Sequence, residues 1–144
     1  MACILVCLLY VTVNGQNNAL QFDGIDDYVI VPAPVATGGS YTKEAWVYAT
    51  ATNSSRNIIS SQNAPFWISN NILKAGQAGI YDYVYDPTPF PLNRWMHVAV
   101  TYDAATKTMK LYKNGIVVAT NTNVPAYTAE TMFIGSHAGT GSYF

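Results

Sequence analysis

The chain predicts an all-β sandwich, and three observations carry that reading. Short apolar runs rich in Tyr, Val, Ile, Thr and Trp alternate with Gly, Asn, Pro and Ser clusters at close spacing. No stretch repeats its apolar residues with a helical period. Asn114-Gly115 sits between two alternating runs, where it supplies the two positive φ angles of a type I′ hairpin turn.

The candidate strands, in order, are Ala19 to Phe22, Tyr28 to Val31, Tyr41 to Thr50, Asn57 to Ser60, Pro65 to Ser69, Ile72 to Ala75, Gly79 to Tyr85, Trp95 to Asp103, Thr108 to Lys113, Ile116 to Thr120 and Thr131 to Gly135. Each is built from side chains that fit a pleated, half-buried surface. Pro32, Pro34, Pro87, Pro89, Pro91 and Pro125 fall between runs, where the missing N–H removes no ladder bond. In the Asn-Gly hairpin, alternation puts Met109 and Leu111 on one face and Lys110 and Tyr112 on the other. A second turn through Asp103 to Lys107 joins this hairpin to the Trp95 strand, making a three-stranded meander.

With 144 residues and a net charge of −1, the chain is sized for one domain and carries no basic stripe for a phosphate backbone. Nucleic-acid binding is excluded on that ground. The longest apolar run, Ala2 to Val13, falls short of the roughly 20 residues that span a bilayer. Residues 1–15 instead read as a secretion signal, with Val13 and Gly15 small enough to precede a cut ahead of Gln16; a buried first strand is the alternative. Cys3 and Cys7, the only cysteines, lie inside this segment, so residues 16–144 form a domain without disulfides, expected outside the cell or at its surface. The other end stops on Tyr143-Phe144 just after a Gly-rich loop, where a further strand is expected, which suggests a fragment of a longer chain. Asn53-Ser54-Ser55 is a glycosylation sequon.

Catalytic patterns are sparse. Glycoside hydrolysis needs two carboxyl groups about 5.5 Å apart, or about 6.5 to 9.5 Å with an intervening water. Asp82 and Asp86 would share one face of a strand but lie roughly 13 Å apart. No Gly-x-Ser-x-Gly elbow or phosphate-binding Gly loop occurs. Of the two histidines, His97 in an apolar strand reads as structural and His137, in a loop, as solvent-facing. Neither has the neighbours of a zinc site.

Phe22-Asp23-Gly24-Ile25-Asp26-Asp27-Tyr28-Val29 places three carboxylates within one tight turn. Ordinary turn chemistry accounts for Asp and Gly there, and a hard cation with oxygen ligands is the alternative. That segment, together with Tyr41-Thr42-Lys43-Glu44-Ala45-Trp46-Val47-Tyr48, Trp95-Met96-His97-Val98-Ala99-Val100-Thr101-Tyr102-Asp103, Met109-Lys110-Leu111-Tyr112-Lys113-Asn114-Gly115 and Phe133-Ile134-Gly135, resembles the LamG-like jellyroll domain of the concanavalin A-like lectin/glucanase superfamily. The resemblance runs from Ala19 to Phe144, with all five segments in family order.

What the resemblance implies is a two-sheet antiparallel jelly-roll sandwich, non-catalytic and attached to other domains of a secreted or surface protein. It also implies a structural Ca²⁺ at the opening turn, with Asp23 as the matching ligand and Asp26 and Asp27 as further candidates. The family's closing segment, an aromatic and Gly leading into Ile-Asp-Glu-Val and a final strand, does not occur, which leaves the second side of that metal site unmatched and the sandwich without its last strand. Trp46 and Trp95 occupy the family's tryptophan positions and are expected in the core.

Tyr81, Tyr83 and Tyr85 alternate with Asp82 and Val84, so three phenols at steps of about 6.6 Å would line one face of a strand. They suit packing inside the sandwich with hydroxyls at its rim, and the alternative is a stack of sugar rings hydrogen-bonded by Asp82. Trp67, flanked by Asn63, Asn70 and Asn71, offers the same two roles. The expected function is a secreted or cell-surface binding or adhesion module that recognises a glycan or an extracellular protein through Trp67, Tyr81, Asp82, Tyr83 and Tyr85. The alternatives are a glycoside hydrolase of the same superfamily and a structural spacer.

Overall fold

Inward and outward alternation, interrupted at a few bulges, builds two four-stranded antiparallel layers around one core. The structure, a computed structural model, describes residues 19–52 and 54–144. The expected signal segment 1–15, both cysteines and Asn53 of the sequon lie outside the described residues. Among those residues no helix is long and apolar enough to cross a membrane.

The strands are β1 (Val29–Val31), β2 (Tyr41–Tyr48), β3 (Arg56–Asn57), β4 (Ile59–Ser60), β5 (Phe66–Ser69), β6 (Ile72–Gln77), β7 (Ile80–Tyr85), β8 (Trp95–Asp103), β9 (Thr108–Lys113), β10 (Ile116–Asn121) and β11 (Met132–Ile134). One sheet runs β10-β9-β8-β2, a second β3-β5-β6-β7, and a small third sheet runs β1-β11-β4. Phe66, Ile68, Leu73 and Val84 of the second sheet share one buried apolar cluster with Val98, Val100, Tyr102, Met109 and Leu111 of the first. The all-β antiparallel sandwich is as the sequence predicts.

Turn chemistry sets the hairpins. Asn114 and Gly115 have φ of 50° and 77°, the I′ pair expected between β9 and β10. Asn70-Asn71 between β5 and β6 (φ 50° and 62°) and Ala78-Gly79 between β6 and β7 (φ 51° and 79°) form the same left-handed pair. Asn tolerates that conformation because its short side chain hydrogen-bonds locally.

Three expectations need correction. Ala19 to Phe22 forms no strand, and Asn57 to Ser60 is two strands rather than one. At the buried residue Ile58 the chain changes sheet: Asn57 pairs with Trp67 in the second sheet, whereas Ile59 pairs with Ile134 in the third. Trp46 and Trp95 are not in the core; they are 66% and 53% exposed. Period-2 alternation is the reason: Val47 on β2 and Met96, Val98 and Val100 on β8 point inward, so their neighbours Trp46, Trp95 and His97 stand on the outer face. There Trp46 packs against His97 and Tyr48 against Trp95, with ring centroids 5.4 and 5.6 Å apart.

The same alternation sends Lys43 inside. Its ammonium donates to the Ala64 carbonyl and lies 5.3 Å from the centre of the Tyr41 ring. Tyr41 in turn donates to Gln77 Oε1 at 2.8 Å and packs against Tyr102 in a tilted contact and Tyr127 edge-to-face, so one end of the core is a polar and aromatic cluster. Burial pushes the Lys43 amine down from 10.5 to about 7, with Glu130 opposing only in part. Burial likewise raises the Tyr41 phenol well above its usual range.

Between about pH 7 and 10.5 the unfolded chain holds a proton on Lys43 that the folded chain has lost, so stability rises with pH across that window. Thermal unfolding from pH 6.5 to 9.5 should show Tm climbing in the wild type and a flatter profile in Lys43→Met. A Tm of the wild type that is level or falling from pH 7 to 9 would contradict a neutral buried amine.

Candidate functional site

Wherever Phe66 and Ile68 face the core, Trp67 between them must face out. It pairs across the second sheet with Lys74, which pairs with Tyr85, so these three side chains form one row on the outer face. The Lys74 ammonium sits 5.9 Å from the centre of the Trp67 ring and 3.5 Å from Asp82 Oδ2. A lysine held by both an aromatic face and a carboxylate is locally neutralised.

Tyr81, Tyr83 and Tyr85 do not line a single face as simple alternation suggests. Ala75 pairs with Val84 and Gln77 with Ile80, so the single β6 residue Gly76 stands opposite Tyr81, Asp82 and Tyr83. This bulge separates the phenols into two places. Tyr81 turns toward Trp67, centroids 6.2 Å apart with planes at 76°. Tyr83 packs partly on the core, and with Tyr85 it borders a second hollow of about 300 Å³ shared with Pro87, Ala119 and Thr120. Asn121 Nδ2 donates to the Tyr83 carbonyl at 3.1 Å, tying β10 to β7 beside that hollow.

The third wall of the Trp67 site comes from the far end of the chain. His137 meets Tyr81 with centroids 5.7 Å apart and planes at 75°. It is held there by the loop from Gly135 to Phe144: His137 N donates to Gly141 O, Phe144 N to Gly135 O, and Ser142 O accepts from both the backbone N and Nδ2 of Asn57. Arg56 adds a bond from Nη1 to Tyr143 O at 3.0 Å. Asn57 is itself buried and oriented by the Ser60 hydroxyl, 2.7 Å from its Oδ1. His137 is therefore not the solvent-facing loop residue expected from the sequence.

Trp67, Tyr81, His137, Asn57, Pro65 and Ser142 line an open hollow of about 100 Å³. Trp67 Nε1 and His137 Nε2 are both shielded from solvent without a hydrogen-bond partner. A buried donor left unpaired costs about 1–3 kcal/mol, so each ring nitrogen has an unmet demand for a polar group. Trp67 and Tyr81 are candidate contacts in the sequence, and the fold brings His137 and Asn57, which the sequence did not single out for this role, beside them. No local signal joins residues 57, 67, 81 and 137, which only the fold brings together.

The remaining carboxylates have other work. Asp86 is buried, where it accepts from Lys113 and from both N and Oγ1 of Thr88. Burial pushes its carboxyl up, but Lys113 and Thr88 together outweigh this and hold it below the usual range. Asp86 thus ties the end of β7 to β9. Asp23, Asp26 and Asp27 are exposed on one turn, with one oxygen from each lying within 4.8 Å of the others. The turn orders itself in part: Ile25 N donates to Asp23 Oδ1 at 2.7 Å and Asp23 N to Asp27 Oδ2 at 3.2 Å.

The Laminin_G_3 family model, described as the Concanavalin A-like lectin/glucanases superfamily, matches residues 23–144. No curated protein matches the chain. Among solved structures, a Bacteroides ovatus protein whose name assigns it to carbohydrate binding superposes with a TM-score of 0.63 at 21% identity, over 76% of this chain and 34% of its own. Domain 4 of AbnA, a GH43 extracellular arabinanase from Geobacillus stearothermophilus, solved with arabinotriose, gives 0.59 at 19% identity over 83% of this chain and 68% of its own. A SAP-like pentraxin from Limulus polyphemus gives 0.50 at 17%, over 82% of this chain and 66% of its own. The chain spans about a third of the Bacteroides protein. At these identities the likeness is one of fold.

The bulge that turns Tyr81 toward Trp67 depends on Gly76. A Cβ built there would lie 2.1 Å from the Ile80 carbonyl oxygen and 2.5 Å from the Tyr81 carbonyl carbon, both rigid backbone. Gly76→Ala should cost about 3 kcal/mol in urea unfolding, the upper end of overpacking penalties. A loss below about 0.5 kcal/mol, the range of neutral surface changes, would show that β7 does not close on Gly76.

Proposed function

This chain belongs to the concanavalin A-like lectin/glucanases superfamily, and on that premise we propose that it is a secreted, non-catalytic module that binds a glycan at the hollow between Trp67, Tyr81 and His137. The observation that carries the reading is a hollow lined by three aromatic rings, two of which, Trp67 and His137, each bury a ring nitrogen that has no hydrogen-bond partner. Sugars offer both halves of what such a site lacks: apolar C–H faces for the rings and hydroxyls that donate or accept for the nitrogens. The side chains lining the hollow include no carboxylate, whereas glycoside hydrolysis is performed by two. The carbohydrate-binding name and the arabinotriose complex among the fold relatives agree with this reading. Secretion rests on the signal-like residues 1–15. Recognition of an extracellular protein is the second reading, favoured by the exposed Trp46, Tyr48 and Trp95 on the opposite sheet.

Binding of the chain to a glycan array, followed by titration calorimetry with each glycan retained, tests the first reading. Tyr81→Ala, which removes one wall of the hollow, should weaken binding about tenfold, or about 1.4 kcal/mol. Trp46→Ala should leave it unchanged. The reverse pattern would move the site to the other sheet, and silence from folded protein would favour the protein partner.

We also assign Asp23, Asp26 and Asp27 as a Ca²⁺ ligand set. Three carboxylate oxygens converging on one exposed turn fit the hard-cation chemistry of Ca²⁺, which would supply charge neutralisation and pin the turn. Ca²⁺ at about 100 times its Kd should then stabilise the fold by about 2.7 kcal/mol. The measured Tm should rise on adding Ca²⁺, fall with chelator, and respond to neither in Asp23→Asn. An unchanged Tm in wild type at millimolar Ca²⁺ would remove the metal from this account.

A further inference from the structure

Resting on the glycan reading of the same hollow, we propose that it takes the terminal ring of an uncharged glycan chain rather than a stretch of the chain's interior. Size is the first reason. About 100 Å³ is well below the roughly 300–1,000 Å³ of pockets that hold whole small molecules, and leaves room for one ring partly inserted.

The orientation of the aromatic rings is the second. A chain bound along its length needs ring faces laid side by side on an open surface. Here Trp67 and Tyr81 meet at 76° and Tyr81 and His137 at 75°, so Trp67 and His137 both stand nearly perpendicular to the Tyr81 ring instead of lying beside it as a flat platform. The wall carrying His137 is also pinned, because Asn57 donates twice to Ser142 O and Arg56 once to Tyr143 O. An interior segment would have to displace a loop fastened at several points.

The third reason is hydrogen-bond demand. Trp67 Nε1 can only donate, while His137 Nε2 can donate or accept, and both are buried without a partner on side chains that line the hollow. A terminal ring brings more free hydroxyls to that place than an interior ring, which has given up one more oxygen to a glycosidic link. Charge supplies the ligand class. None of the six lining residues is Lys, Arg, Asp or Glu, and the nearby Lys74 is already held by Asp82 and by the Trp67 ring. No lining cation is left to pair with a uronate or a sulfate, so the ring that fits is neutral.

The test is titration calorimetry of the full chain against neutral arabino-, xylo-, cello-, manno- and galacto-oligosaccharides, each series at two, three and six residues, with uronate and sulfated oligosaccharides alongside. End recognition predicts that whichever neutral series binds does so with Kd constant within about twofold across the three lengths. Trp67→Phe, which keeps a ring and removes the N–H, should weaken every length by the same factor, about tenfold. A Kd that tightens tenfold or more from two to six residues would overturn end recognition while leaving the glycan reading intact. Binding confined to the acidic oligosaccharides would overturn the neutral class. No binding to any oligosaccharide by folded protein would overturn the glycan reading and this inference together.

Discussion

Phe66, Ile68, Leu73 and Val84 project from one sheet into the same buried cluster as Val98, Val100, Met109 and Leu111 from the other. Burial of these eight side chains is the main favourable term available to a sandwich without helices, and it fixes the register of both sheets. A slip by one residue would turn every one of them to the opposite face. The outward set follows from the inward set. Trp67, Lys74 and Tyr85 are displayed in a row because their neighbours are buried, and Trp46, His97 and Trp95 are displayed on the other sheet for the same reason. A surface that carries chemistry is thus a by-product of core packing, refined afterwards by local irregularities.

Two irregularities shape the hollow on the outer face of β5-β6-β7. Opposite Gly76 the β7 strand bulges and swings Tyr81 against Trp67; at Ile58 the chain leaves one sheet for another and leaves Asn57 free to fasten the closing loop. Bulges at sheet edges commonly re-aim a side chain in this way. The aromatic walls are therefore carried by strands and by a loop bonded to a strand, the arrangement that holds contacts to a ligand in register. The polar end of the core lies elsewhere, around Lys43, Tyr41 and Gln77, and acts on stability instead of binding.

Strand positions were legible because strand period and turn chemistry are local. Trp95 to Asp103 and Thr108 to Lys113 have the bounds their alternation implies, and Asn114-Gly115 makes the turn its φ demands. What escaped the sequence is what depends on phase or on distance along the chain. Trp46 and Trp95 were expected inside, yet alternation phased on Val47, Val98 and Val100 places both on the outer face, and the same phase buries Lys43. Trp67 and Tyr81 were recognisable as aromatic candidates, but the bulge at Gly76 cannot be read from a run that alternates perfectly on paper. His137 and Asn57 join them across many residues through hydrogen bonds to Ser142 and Gly141.

The central claim, that the ligand meets the hollow at Trp67, is tested most directly by the indole N–H signals of a ¹⁵N-labelled chain. The protein has three tryptophans, so three resonances report on one site and on the opposite sheet at once. Titration with a glycan the chain binds should shift the Trp67 Nε1–H strongly, as its missing partner arrives, and leave Trp46 and Trp95 in place. A shift confined to Trp46 and Trp95, with Trp67 unmoved, would contradict it.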